Sequence, residues 1–263
     1  AHVKLNRSVL KSITKPLAFV FLLCVAWEIA VKILDVHPVL LPAPSLIASF
    51  VFENGLTLLY HTSVTVYEAI IGLILGVSVG LAFGIIIVYS KVLRDATLPL
   101  LLAADIIPKA ALAPLLLIIF GFGILPKIVI VILITFFPVV INTAAGLASI
   151  QPELTDLAHS FKASGWLVFY KIRFPNALPY VFAGLRIAVP LSFVGAVIAE
   201  FAGTVEGIGW VLLDAILTFR TEQTIAGIIF AALAGITLFS TISIVERKTM
   251  PWYKEDRVAV GVY

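Results

Sequence analysis

The chain has 263 residues, 61% hydrophobic and 13% charged, with a mean hydropathy of +1.13 and a formal net charge of +3. Soluble domains carry about 25% charged residues, so this composition excludes an ordinary water-soluble globule and points to one membrane domain, 1–263. The small net charge gives no reason to expect a nucleic-acid partner, and the single cysteine, Cys24, excludes an intramolecular disulfide and a Cys-rich metal site.

A spanning helix needs about 20 mostly apolar residues. In chain order six segments qualify, at about 16–34, 66–90, 97–120, 127–149, 176–200 and 223–246. The expected fold is therefore an all-α integral membrane protein, its core helices within 66–246. The first segment is not expected to be a cleaved leader, because Trp27-Glu28 interrupts it and no small-residue cleavage site follows. After it the Pro-rich stretch VHPVLLPAPS predicts a turn, and Ser45 predicts the cap of a short helix at the outer interface.

The second span repeats glycine every fourth residue, at Gly72, Gly76, Gly80 and Gly84. These share one helical face and let another helix approach closely. Packing inside the subunit and a contact with a second subunit both remain open. In the third span Asp105 and Lys109 flank Pro108, which breaks the regular turn. The two charges either neutralise each other or line a pathway through a broken helix. In the fifth span Arg186 and Glu200 are further pathway candidates, with structural pairing as the alternative. Gly203, Gly207 and Gly209 then predict a tight or re-entrant turn, followed by a short helix from about Val211.

Lys and Arg in short loops set orientation. Six spans put both ends on one side. That side gathers Lys4, Arg7, Lys11, Lys15, Lys91, Arg94, Lys162, Lys171, Arg173, Arg247, Lys248, Lys254 and Arg257, out of 18 basic residues in all. The N-terminal segment 1–15, the loop 151–175 and the tail 247–263 are thus expected to be cytoplasmic.

The loop 151–175 is unlike the rest of the chain. Leu154, Leu157, Ala158 and Phe161 follow the spacing of one helical face. Glu153 and Asp156 suit the positive end of the helix dipole, and Gly165 is a candidate terminator. A second short helix, Trp166 to Arg173, should stop at Pro175. Two readings stay open: an interfacial pair of helices anchored by Trp166, Phe169 and Tyr170, or a plug that docks in the groove of a cytoplasmic partner.

This stretch resembles the EAA loop of permease subunits in binding-protein-dependent ABC importers: E-A-A, three residues, Gly, nine residues, Ile-x-Leu-Pro. Here the frame is Asp156-Leu157-Ala158, then HSF, Lys162, nine residues and Ile172-Arg173-Phe174-Pro175. The sequence departs from the pattern by Asp for Glu, Leu for Ala, Phe for Leu and Lys162 in place of glycine. LLPAPS (40–45), IIPKAALAPLLLIIFGFG (106–123) and Ala177–Trp210 are similar to the nitrate, sulfonate, taurine and bicarbonate branch of these permeases.

The resemblance implies a type I importer in a bacterial inner membrane. Two permeases, here a homodimer, would pair and dock on two ATPase subunits, and an extracytoplasmic binding protein would deliver a small anionic or polar solute. The loop would be the coupling helix, with Asp156, Ala158, His159, Phe161, Lys162, Ser164 and Gly165 as the coupling set. ATP and Mg would sit on the partner, because this chain has no Gly-rich phosphate loop and needs no cofactor of its own. Its four histidines are scattered and no catalytic set can be argued, so it is not expected to be an enzyme. The rivals are an ion-gradient secondary transporter, which predicts repeats and midplane acid relays, and, within the family, an importer of a pyrimidine-type vitamin precursor.

Overall fold

The computed structural model describes residues 7–253, and all its regular elements are helical. In order they are α1 (Arg7–Ile33), α2 (Pro44–Tyr89), α3 (Lys91–Ile106), α4 (Lys109–Phe120), α5 (Ile124–Ala148), α6 (Pro152–Ser160) and α7 (Gly165–Val168). A π-helical turn (Phe169–Arg173) leads into α8 (Phe174–Phe201), followed by α9 (Ile208–Leu217) and α10 (Thr221–Thr249). Five stretches are long and apolar enough to cross a bilayer, and α3 with α4 supplies a sixth if that bent pair is one span. The chain is a multi-pass, all-α membrane protein.

Three expectations about elements change. The short helix at Ser45 and the span at 66–90 are one uninterrupted helix of 46 residues. At 1.5 Å per residue it is about 70 Å long, more than twice a hydrocarbon core of about 30 Å. No proline lies inside it to stop it, and the helix runs through Gly55 without a break. The span at 97–120 is two helices bent by 90°. Pro108 has no N–H to carry the helix through, and Ile107 and Pro108 are extended. Pro175 does not stop the helix before it. It falls in the first turn of α8, where proline is tolerated, and the chain stays helical from Gly165 to Phe201.

The described chain divides into two compact units. One contains the chain up to Tyr60 together with Val211–Phe230. In it, Glu28 accepts hydrogen bonds from the Ser45 N–H at 2.9 Å and hydroxyl at 2.8 Å, and pairs with Lys32 at 2.7 Å. Thr221 donates to the Val39 carbonyl at 2.5 Å. Ser45 thus ties α2 to α1, a tertiary role beyond the cap expected of it.

The other unit contains His61–Trp210 and the chain from Ala231. Its core is α5, with Val131, Val139, Val140 and Leu147 fully or almost fully buried. A Cβ on Gly72, Gly76, Gly80 or Gly84 would come within 2.4, 2.1, 2.9 and 2.8 Å of Val131, Thr135, Val139 and Thr143 respectively. Each of these four glycines of α2 therefore seats one β-branched residue of α5, both at a four-residue period. The stripe is filled inside the subunit. α5 also packs on α8, where Gly146 lies against Tyr180, Gly184 against Asn142 and Gly195 against Ile134. Without a hydrophobic drive between helices in lipid, this closeness supplies the dispersion contacts that hold the layer together.

Candidate functional site

Two regions lie at opposite ends of α5 and α8. At one end α5 runs into the loop that carries α6 and α7. α6 ends at Ser160, and Lys162 adopts φ 53°, the left-handed conformation that favours glycine. The Ala163 N–H donates to the Ala158 carbonyl at 3.0 Å, the six-to-one closure of a Schellman turn. Lys162 therefore adopts a backbone geometry that favours glycine. Gly165 does not end α6; it opens α7, whose N-cap is Ser164, accepting the Leu167 N–H at 3.3 Å.

The apolar face of α6 is split. Ala158 is turned into the subunit at 8% exposed, while Leu154, Leu157 and Phe161 are exposed, as is Trp166 on α7. Asp156 is also exposed; the side chain of His159 lies outside the described residues. Tyr89, Phe169, Trp166 and Phe174 form an aromatic chain beneath the loop, with Arg173 over the Tyr89 ring at 5.7 Å.

Three of the intramembrane charges are paired. Lys109 meets the Asp105 carboxylate at 2.5 Å across the bend, also donates to the Asp105 carbonyl, and lies over the Phe137 ring. Arg186 pairs with Glu246 at 2.8 Å. Glu200 is fully buried in a different arrangement. Its carboxylate accepts from the Thr65 hydroxyl at 2.7 Å and from the Gly209 N–H at 2.6 Å. Thr65 in turn accepts the Ile208 N–H at 2.8 Å, and His61 Nδ1 accepts the Gly207 N–H at 3.2 Å. Three successive amides that open α9 are thus satisfied by side chains of α2 and α8. Such orphan amides otherwise cost a buried helix end dearly.

Beside this clamp lies a pair that sequence reasoning missed: Glu68 of α2 and Lys127 of α5, 2.6 Å apart with side chains 3% and 6% exposed. The other Glu68 oxygen has no hydrogen-bond partner among the described residues and neighbours the Glu200 carboxyl. The one signal in the sequence was that each sits at the edge of an apolar run. The pair floors a cavity of about 790 Å3 walled by α2, the α4–α5 turn and the α8–α9 turn.

The family described as "binding-protein-dependent transport system inner membrane component" matches residues 69–250. The formylaminopyrimidine transport permease protein of Halalkalibacterium halodurans is 33% identical, over 92% of this chain and 97% of the relative. A riboflavin transport system permease protein of Chloroflexus aurantiacus is 32% identical, over 88% and 87%. A putative aliphatic sulfonates transport permease protein of Bacillus subtilis is 31% identical, over 86% and 83%. With its apolar spans and helical fold, the chain belongs to the binding-protein-dependent inner membrane component family and is a permease subunit of a type I ABC importer.

Proposed function

We propose that the chain lines the path of a small polar or anionic solute, delivered from outside by a binding protein, and that α6 passes the force of a separate ATPase into the membrane helices. The observation that carries this reading is the loop 151–175. It is amphipathic, it carries Lys162, Lys171 and Arg173, and it presents Leu154, Leu157, Phe161 and Trp166 uncovered. Apolar side chains on a solvated loop fit a groove-docked helix. Asp156, Lys162, Ser164 and Gly165 lie exposed beside that face, while Ala158 is buried beneath it.

On this reading both termini are cytoplasmic, two copies pair as a homodimer in a bacterial inner membrane, and ATP and Mg are bound by the partner. The relatives' names range from a pyrimidine and a flavin to sulfonates. The test is the composition of the complex purified from native membranes in mild detergent. Two copies of this chain with two ATPase subunits are expected. Recovery of the chain alone from several detergents would retire the reading in favour of gradient-driven transport.

A further inference from the structure

Where the loop rejoins the spans, α7 and the π-helical turn leave a slot against the end of α2. It holds about 270 Å3 and is lined by Ile85 and Tyr89 of α2 and by Gly165, Trp166 and Phe169. Ile85 and Tyr89 are one helical turn apart, as are Trp166 and Phe169, so the slot runs between two apolar ridges. A Cβ on Gly165 would meet nothing within 4 Å, so the space there is unfilled. The uncharged run of α2 ends just past Tyr89, at Lys91. The slot therefore sits at the depth where aromatic side chains meet lipid headgroups.

Two cations share the π-helical turn with Phe169. Arg173 lies 5.7 Å from the centre of the Tyr89 ring, and Lys171 lies 5.7 Å from that of Tyr170. Among the described residues neither forms an ion pair. A ring face attracts them but is no substitute for the charge-assisted hydrogen bonds of a phosphate. The turn itself, in which the Phe174 N–H closes on the Phe169 carbonyl, is of a rare kind found frequently at functional sites.

Resting on the cytoplasmic placement of this loop, we propose that the slot binds one anionic phospholipid of the cytoplasmic leaflet. Part of an acyl chain lies between Tyr89 and Trp166, and the headgroup phosphate meets Arg173 and Lys171. The anionic charge of that leaflet complements the two cations. The loop then has two roles on separate elements. α6 offers Leu154, Leu157 and Phe161 to the ATPase, while α7 and the π-helical turn hold lipid.

The experiment is native mass spectrometry of the full chain in detergent, titrated with dioleoylphosphatidylglycerol and, separately, with dioleoylphosphatidylcholine. One phosphatidylglycerol is expected to bind about 20-fold more tightly than phosphatidylcholine, and Arg173→Gln and Lys171→Gln each to cut that preference about fivefold. Gly165→Leu, at a position with room for a side chain, fills the slot and weakens both lipids alike. Melting temperatures without added lipid identify variants that are folded, and Lys171, an exposed residue, keeps the test decisive if Arg173→Gln is not. Equal binding of the two lipids, or a preference unchanged by Lys171→Gln and Arg173→Gln, overturns the proposal. So does unchanged lipid binding in Gly165→Leu; if the ATPase is then lost on copurification, the slot belongs to the ATPase. The titration itself uses no ATPase, so its failure leaves the copurification result standing.

Discussion

Glu200, the one acid of α8, reaches nine residues along the chain to accept the Gly209 amide at 2.6 Å, and so joins the end of one helix to the start of the next. Gly207 lies between them with φ 105°, and a Cβ there would come within 2.0 Å of the Glu200 carboxylate. The turn therefore closes only around a residue without a side chain.

Glu200→Ala leaves the buried Gly209 amide without its acceptor, at about 1–3 kcal/mol, while the Thr65 hydroxyl keeps the His61 carbonyl at 3.2 Å. The variant should show a lowered unfolding temperature in detergent and new protease cleavage between residues 202 and 207. Gly207→Ala should do the same by displacing the carboxylate. Unchanged protection in both would show that the turn does not depend on the clamp.

The glycine stripe makes a graded prediction. Gly76→Ala drives a methyl group into Thr135 Oγ1, with only 2.1 Å available, and overpacking of this kind costs about 1–3 kcal/mol. Gly55→Ala on the same helix meets nothing and should be neutral or stabilising by up to about 1 kcal/mol. Melting curves of the two variants side by side decide the point, and equal losses would contradict the packing.

Glu68 and Lys127 should behave as a unit. Removing one partner leaves a buried charge uncompensated, at about 3–5 kcal/mol, whereas replacing both by apolar residues of similar size is close to neutral. A double-mutant cycle with Glu68→Met and Lys127→Met is expected to show the double variant more stable than either single one. Additive losses would mean the pair is not coupled.

At the loop, Lys162→Gly removes the strain of a left-handed lysine and should stabilise the α6–α7 turn by about 1 kcal/mol. Leu157→Glu and Phe161→Asp should release the ATPase from a subunit that melts normally, because both side chains are exposed. Ala158→Glu should instead lower the melting temperature, since Ala158 is buried in the subunit itself. ATPase recovery and melting temperature, read together, separate the two outcomes.

Much of the architecture was legible from residue order. Uncharged runs of about 20 residues mark spans whatever packs beside them, because an unsatisfied backbone in lipid leaves few alternatives. The four-residue glycine period marked a contact face, and the spacing of Leu154, Leu157 and Phe161 marked the loop helix, because both are local periodicities. What the tertiary structure decided was partnership. Gly72 to Gly84 seat α5, Thr65 meets Glu200 across 135 positions, and Glu68 meets Lys127 across 59. No local pattern encodes such pairs. Only the packing of α2 and α8 against α5 brings them together, and burial then favours arrangements in which polar groups find partners.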